Sequence, residues 1–156
     1  MKVKVKKLGD VSDVGYSKKG DAAIDLRASG VWVINHDDNE KELSIDEYTI
    51  QPGERILIKT GIMVELPEGH WGNIRERSGL AIKNGLQLMG GVIDESYRGE
   101  ISVIMLNTSR NPYTIKKNDR IAQMVIQPYL NADIEYVDEL GNTSRGQTGF
   151  GTSGKK

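Results

Sequence analysis

Residues 90–100 read Gly90-Gly91-Val92-Ile93-Asp94-Glu95-Ser96-Tyr97-Arg98-Gly99-Glu100. An apolar strand end leads into an aspartate and a short polar turn, and a second apolar run, residues 101–106, follows. This pattern predicts a β-hairpin with Asp94 at its corner. An acid that directly follows two apolar residues has one flank shielded from water, which favours its use as a general base. The alternative is that Asp94 only starts the turn by bonding nearby backbone.

Composition narrows the chemistry that the chain can perform. Its 156 residues are the size of one domain. The chain contains no cysteine and only two histidines. A thiol nucleophile, a zinc site and a Ser-His-Asp triad are therefore not expected. The chain has 21 Lys and Arg residues against 22 Asp and Glu residues. It therefore lacks the excess positive charge that a nonspecific nucleic-acid-binding protein needs. Chemistry is therefore expected from carboxylates, arginines and backbone groups.

The sequence also bears on location. No apolar run approaches the ~20 residues of a membrane span, and the amino terminus alternates charged and apolar residues instead of forming a signal-type block. We expect no nucleic-acid partner and no membrane partner. The expected location is the cytoplasm, or the host-cell cytoplasm if the gene is viral or phage-encoded.

Short apolar segments alternate with Gly and Pro turns along most of the chain, which predicts an all-β sandwich or barrel. The predicted strands cover residues 2–8, 22–28, 55–59, 62–66, 71–75, 86–93, 100–107, 121–126 and, as a last possibility, 133–137. Between residues 31 and 50, the charged tract 36–42 indicates a solvated hairpin tip, with partner binding as the alternative.

The one predicted helix is short, with Ser78 as its cap, residues 79–83 as its body and Gly85 as its end. Arg77, the Ser78 hydroxyl and the free N–H groups of the helix start converge at one point, which indicates an anion site. The alternative is an ordinary capped turn with a surface arginine.

Two polar side chains on predicted strands are candidate site residues. Asp25 lies on the face opposite Ile24 and Leu26, so it faces either a site or solvent. Gln123 shares the odd-numbered face with Ile121 and Val125, where it either satisfies backbone groups in the core or binds a ligand.

The composition changes at residue 141, so we expect a β domain over residues 1–140 and a flexible glycine-rich tail over 141–156. The tail contains the only phenylalanine, Phe150, which gains nothing from exposure and is therefore expected to dock. Arg145 and the Thr152-Ser153 hydroxyls resemble a phosphate cradle that closes over a ligand. An inert tail is the alternative.

Five segments stand in an order that closely resembles the trimeric dUTPase family (deoxyuridine 5'-triphosphate nucleotidohydrolases). They are residues 22–28, 77–81, 91–99, 120–123 and 145–154. The resemblance implies a distorted jelly-roll-like β-barrel with one short helix, assembled as a homotrimer whose three active sites each use motifs from all three chains. It implies an enzyme, a dUTP diphosphatase that releases dUMP and pyrophosphate, keeps uracil out of DNA and supplies dUMP for dTTP synthesis.

The resemblance also implies roles for individual residues. Asp94 would activate water for attack on the α-phosphorus, and Tyr97 would pack under the deoxyribose and exclude a 2′-hydroxyl. The uracil edge would be read near Leu88, Met89, Gly90 and Gly91, with Phe150 stacked on the base. The triphosphate would be bound by Arg77, Ser78, Gly79, Arg120, Gln123, Arg145, Gly151, Thr152 and Ser153. Mg²⁺ would be held mainly by the phosphates and by Asp25 through water.

Several positions depart from the commonest family pattern. Ser96 stands where an aspartate is usual, Thr148 where a glycine is usual, and Ile24 where an aromatic residue is frequent. The order Thr152-Ser153 is also reversed. Thr148 is the departure with a physical consequence, because a β-branched residue resists backbone conformations that glycine permits.

Two other functions are compatible with parts of this pattern. A dCTP deaminase of the same fold shares the Arg77-Ser78 pair and a hairpin aspartate, but is expected to lack Tyr97 and the 145–154 tail. A regulatory module would use nucleotide to gate a protein partner, and this role is compatible with enzyme activity. Pyrophosphate release from dUTP, dCTP and dTTP separates these possibilities.

Overall fold

The structure is a computed structural model that describes residues 1–36 and 39–147. In these ranges the chain forms β-strands joined by turns and one short helix. The elements are β1 (Lys4–Lys7), β2 (Ala23–Arg27), β3 (Val31–His36), β4 (Asn39–Ser44), β5 (Glu47–Ile50), β6 (Arg55–Glu65), β7 (His70–Arg75), α1 (Ser78–Asn84), β8 (Leu86–Met89), β9 (Val92–Ile93), β10 (Glu100–Asn107), β11 (Tyr113–Lys116) and β12 (Arg120–Pro128).

The strands pair in three antiparallel sheets. The largest has the order β4-β3-β6-β10-β8, with β1 paired to the second half of β6. A four-stranded sheet has the order β2-β12-β7-β9, and β5 pairs with β11. Most neighbours in these sheets are distant in the sequence, which is the connectivity of a jelly-roll-like β fold. The predicted all-β fold class with one short helix is confirmed.

The hydrophobic core lies between the two larger sheets. Alternate residues of β2 and β10 are buried, so each strand presents one apolar face inward, as a half-buried strand requires. Trp32 is fully buried and its ring stacks on Tyr48, with 6.0 Å between centroids. This core uses apolar residues from all three sheets and fixes the positions of the strand ends that carry polar side chains.

The segment that contains Asp94 differs from the predicted simple hairpin. β8 does pair with β10, with Met89 opposite Ile104, but β9 leaves that sheet and pairs with β7, with Ile93 opposite Gly72. The chain changes sheet at Gly90 and Gly91, which have φ values of 69° and 106°. A Cβ atom at Gly91 would lie 2.8 Å from the Ile74 carbonyl oxygen, so glycine permits this crossing.

The helix is confirmed, but its cap is not the predicted one. It begins at Ser78, Arg77 occupies the N-cap position with extended backbone, and no side chain caps it. Leu80 and Ala81 N–H groups donate to the Arg77 carbonyl oxygen. Gly85 ends the helix in the left-handed conformation, as predicted.

Three strand predictions need correction. β6 is one strand instead of two, because Gly61 (φ 71°) carries an irregularity opposite the start of β10 without ending the pairing. Residues 113–116, to which the pattern assigns no element, form β11. The possible strand at 133–137 is absent in the described chain, where every residue from 130 to 147 is exposed and a strand partner is lacking.

Candidate active site

Asp25 is the centre of a cluster of polar side chains at one face of the β2-β12-β7-β9 sheet. Its Oδ2 accepts hydrogen bonds from Ser17 Oγ at 2.5 Å and from Arg120 Nη1 at 3.2 Å. Arg77 Nε lies 3.5 Å from Oδ1. Both carboxylate oxygens are therefore engaged by cationic or hydroxyl partners, and the side chain is 16% exposed.

This environment sets the charge state of Asp25. Burial alone would raise the pKa of its carboxyl, but the Ser17 hydrogen bond, then Arg120, then Arg77 outweigh burial and hold the pKa below its usual range. Asp25 is therefore an anion at neutral pH, and it holds the two guanidinium groups close together. Arg77 Nη1 also donates to the Arg120 carbonyl oxygen at 3.1 Å, which ties the helix start to the start of β12.

Gln123 lies in the middle of this face, between two charged neighbours. In the antiparallel register it is opposite Asp25 on β2 and opposite Arg75 on β7. The sequence pattern places Gln123 on the same face as Ile121, which is wrong, because the register shifts between Arg120 and Ala122. Ile121 and Ala122 are both buried as a result, and Gln123 turns to the polar face, where its Nε2 donates to the Glu76 carbonyl oxygen at 2.7 Å.

These residues line a cleft of about 890 Å³. Of the predicted site residues, it brings together Asp25, Arg77, Ser78, Gly79, Arg120 and Gln123. The first N–H groups of α1 are at its edge, and such groups have no partner within a helix. The lining contains more basic side chains than acidic ones, so the cleft suits a ligand with several negative charges.

Other polar residues that the sequence did not indicate line the same cleft, among them Ser17, Lys18, Arg75 and Lys83. Ser17 binds Asp25 directly, and Arg75 lies next to Gln123 across the sheet. The position of Lys83, one helical turn after Gly79, is a readable signal, because residues four apart share a helix face. The Ser17 contact depends on the folded path of the 9–22 loop and has no such signal.

Asp94 lies in a different pocket, of about 500 Å³, with Trp71, Val92, Glu95 and Tyr129 among its lining residues. It is exposed, so the predicted shielding of its flank is not found within one chain. Ile93 is buried, but Val92 is 65% exposed. Within the described residues, the Asp94 carboxylate accepts no hydrogen bond, which leaves it free to accept a proton from a ligand.

Tyr97 lies two residues beyond Glu95, and its ring covers Gly99. The ring is 43% exposed, and its hydroxyl donates to the Glu100 carbonyl oxygen at 3.1 Å. A Cβ atom at residue 99 would overlap the Tyr97 hydroxyl and ring, so Gly99 provides the space in which the ring lies. Tyr97 is therefore held at its hydroxyl end and partly exposed, three residues after Asp94.

Comparison with known proteins assigns this arrangement to a family. A dUTPase family model matches residues 43–154. The deoxyuridine 5'-triphosphate nucleotidohydrolase of Trichodesmium erythraeum (strain IMS101) is 43% identical over 157 aligned residues, which cover 99% of each chain. The chain belongs to the dUTPase family. The resemblance carried by the five sequence motifs is therefore confirmed.

Solved structures of phage dUTPases share the fold. A mutant of the Staphylococcus bacteriophage 80alpha dUTPase, solved with dUpNHpp, has a TM-score of 0.81 and 26% identity, covering 98% of each chain. A mutant of the dUTPase from phage phi11 of S. aureus has a TM-score of 0.75 at 22% identity, covering 91% of this chain and all of that one. That structure is described as revealing the coordination of a structural Mg(II) ion.

Among the other predicted site residues of this dUTPase family member, those that the structure describes do not line the cleft. Leu88, Met89, Gly90 and Gly91 form the end of β8 and the crossing between sheets. Arg145 is exposed in a turn, where the Gly146 N–H donates to the Thr143 carbonyl oxygen. Phe150, Gly151, Thr152, Ser153 and Thr148 lie outside the described residues.

Neither a metal cluster nor a membrane helix occurs in the described parts of the chain. Residues 1–36 and 39–147 contain no group of three or more His, Asp or Glu side chains arranged to hold a metal ion. In the same ranges, no helix has the length and apolar character needed to cross a membrane.

Proposed function

We propose that this chain hydrolyses dUTP to dUMP and pyrophosphate, with Asp94 as the general base. Family membership gives the activity class, since its curated relatives are deoxyuridine 5'-triphosphate nucleotidohydrolases. The observation that supports the proposal best is the basic cleft around Asp25, Arg77, Arg120 and Gln123, because a triphosphate is the polyanion that such a cleft would hold. Asp94, without a partner in the described structure, supplies the base.

The proposed reaction is an in-line attack by water on the α-phosphorus. Asp94 accepts a proton from the water, the water oxygen bonds to the α-phosphorus, and the bond from that phosphorus to the oxygen bridging to the β-phosphate breaks. Pyrophosphate leaves with the electron pair of the broken bond. Arg77, Arg120 and the first N–H groups of α1 would stabilise the charge that develops on the phosphate oxygens.

Mg²⁺ is part of the proposal, and the residues fit a phosphate-borne ion better than a protein-held one. Mg²⁺ prefers oxygen ligands and keeps several waters, so one or two carboxylates beside substrate phosphates are sufficient. Asp25 and Asp21 are among the carboxylates that line the cleft, and Asp25 would hold the ion through water. When bound, the ion would neutralise phosphate charge and orient the triphosphate.

A homotrimer with shared sites is also proposed. The cleft and the Asp94 pocket have no lining residue in common, which supports a site that combines the cleft of one copy with Asp94 of another. In a cyclic assembly, Asp94 and Tyr97 of one copy would face the cleft of the next. Arg145 and the tail residues Phe150, Gly151, Thr152 and Ser153 would then complete a site on a neighbouring copy.

The proposal also covers how the site selects the uracil base and the deoxyribose sugar. Backbone groups of Leu88, Met89, Gly90 and Gly91 would read the uracil edge, at the point where the chain leaves its pairing with β10 and changes sheet. The Gly91 carbonyl oxygen accepts from the Ile74 N–H, so other backbone groups of this crossing would contact the base. Tyr97 would pack under the deoxyribose, where a ribose 2′-hydroxyl would meet its ring. We place this activity in the cytoplasm, or in the host-cell cytoplasm for a viral or phage gene.

The test is a pyrophosphate-release assay with dUTP, dCTP, dTTP and UTP, on the wild-type chain and on Asp94→Asn. We expect release from dUTP alone, and a kcat lowered by about 10²–10⁴ in Asp94→Asn with nucleotide affinity largely kept, the usual effect of removing a positioned base. Ammonia release from dCTP would instead identify a deaminase. An Asp94→Asn variant with wild-type kcat would remove Asp94 from the role of base.

A further inference from the structure

Glu95 makes contacts that its neighbours in the Asp94 turn do not make. Its Oε2 accepts a hydrogen bond from the Gly69 N–H at 2.6 Å and from the Tyr129 hydroxyl at 2.8 Å. Glu95 is half-buried, whereas Asp94 and Ser96 on either side are exposed. The side chain of Glu95 therefore packs back against the protein while the carboxylate of Asp94 faces outward.

The two contacts of Glu95 join three separate parts of the chain. Gly69 lies in the turn between β6 and β7, and Tyr129 is the first residue after β12. The Tyr129 N–H donates to the Gly69 carbonyl oxygen at 3.0 Å, so the three residues form a closed ring of hydrogen bonds. The Tyr129 hydrogen bond, followed by that from Gly69, holds the pKa of the Glu95 carboxyl below its usual range, so the acceptor stays charged at neutral pH.

Asp94 itself has no such anchor in the described structure. Before Asp94, the chain is fixed by the pairing of Ile93 with Gly72. After it, the Tyr97 N–H donates to the Asp94 carbonyl oxygen at 3.1 Å, and the next side chain that fastens this turn to another element is Glu95. The direction of the Asp94 carboxylate is therefore set by backbone that Glu95 holds in place.

We infer that Glu95 is a positioning residue, which with Gly69 and Tyr129 holds Asp94 at the geometry that proton transfer requires. This inference rests on the proposed role of Asp94 as the base. Misplacing a catalytic group by about 1 Å costs roughly 10²-fold in rate, so a turn that loses its anchor should lose turnover before it loses affinity. Because Tyr129 begins the segment 129–147, the same ring links the base to the root of that segment.

The test compares Glu95→Ala, Glu95→Gln and Tyr129→Phe by single-turnover kinetics with dUTP, which separate chemistry from product release. Glu95→Ala should lower the single-turnover rate by about 10- to 100-fold and leave the Kd for dUpNHpp within about twofold. Glu95→Gln keeps an acceptor oxygen and should stay within about threefold of wild type. Tyr129→Phe removes one of the two donors and should give an intermediate loss. It also serves as the test if Glu95→Ala does not fold.

Two controls separate positioning from a general structural effect. Glu68→Ala removes an exposed carboxylate from the same β6–β7 turn and should leave the rate unchanged. In an Asp94→Asn background, Glu95→Ala should lower the single-turnover rate by less than a further factor of about two, because no base remains to be positioned.

Three outcomes would overturn the inference. The first is a Glu95→Ala rate within twofold of wild type, and the second is an equal loss in the Asp94→Asn background. Either of these two outcomes would leave the proposed function intact, provided that Asp94→Asn alone is inactive. The third, full activity of Asp94→Asn, would overturn the role of Asp94 and the positioning role of Glu95 together.

Discussion

Gly99 has no side chain, which leaves room for the ring of Tyr97. The space that a Cβ atom would take is occupied by the Tyr97 ring. Gly99→Ala should therefore displace this ring towards the sugar position and raise the KM for dUTP by roughly tenfold, since overpacking costs about 1–3 kcal/mol. Steady-state kinetics measure the change, and Gly141→Ala, at a glycine with open space around it, is the matched control. An unchanged KM would mean that the ring does not contact the nucleotide.

Asp25 gives a prediction about pH. Its pKa is lower in the folded state than the usual 3.8, so its contribution to stability is fully present above about pH 5 and is lost as the pH falls through the folded value. Asp25→Asn should lower the free energy of unfolding by roughly 1–3 kcal/mol at pH 7, the value of hydrogen bonds to a charged group. In urea titrations, this difference should shrink below pH 4. A difference that stays constant down to pH 2 would contradict the assignment.

At the scale of elements, Asn107 fastens the end of β10 to β5 and to the following turn. It is completely buried, its Nδ2 donates to the Ile50 and Asn111 carbonyl oxygens, and its Oδ1 accepts from Ser109. Asn107→Ala should lower the free energy of unfolding by about 2–4 kcal/mol, because it leaves buried polar groups without partners. Asn107→Asp keeps the acceptor but places a buried carboxylate against two carbonyl oxygens, so denaturant titrations at neutral pH should show it to be at least as destabilising as Asn107→Ala. A cost below about 0.5 kcal/mol for Asn107→Ala would be inconsistent with this role.

The sequence predicts elements well where their cause is local. The alternation in β2 and β10 and the left-handed Gly85 depend on neighbouring residues, and the structure follows these predictions. The errors arise where the structure depends on pairing with a strand that is distant in the sequence. Gln123 faces the cleft because of a register shift against β2, and residues 133–137 form no strand because the described chain offers them no partner.

The candidate site likewise has features that the sequence predicts and features that it does not. The motifs predict Asp25, Arg77, Arg120 and Gln123 as candidate site residues, and the structure brings these four into one cleft. Their mutual contacts depend on pairings between strands that are far apart in the sequence, such as β2 and β12. The contact between Ser17 and Asp25 and the ring around Glu95 carry no sequence pattern, because each depends on where separate segments of the chain meet.

At the scale of the whole molecule, the segment 129–147 leaves large apolar side chains uncovered. Leu130, Ile134, Tyr136 and Leu140 are each at least 75% exposed. In the proposed trimer a neighbouring copy would cover them, so sedimentation should give about three times the 17.3 kDa chain mass. Replacing Ile134 and Tyr136 by Ser should weaken this assembly, since burying such a side chain contributes roughly 1.5–3 kcal/mol.

The matched control for this prediction is Glu139→Gln, which changes an exposed polar residue of the same segment. It should sediment as the wild type does over the whole concentration range. If the Ile134→Ser/Tyr136→Ser variant also keeps its mass at the lowest concentrations and its full activity, these side chains do not take part in assembly.

The pairing of β2 with β12 has a consequence for synthesis on the ribosome. Asp25 is opposite Gln123, so β2 leaves the ribosome about a hundred residues before its partner. At about 5–20 residues per second, β2 waits roughly 5–20 s for β12. Arg120 arrives with β12, so the nascent chain lacks a complete cleft around Asp25 until translation is nearly finished. A ribosome stalled before residue 120 would therefore carry a chain in which every strand of the large sheet has been synthesised but the proposed triphosphate cleft is incomplete.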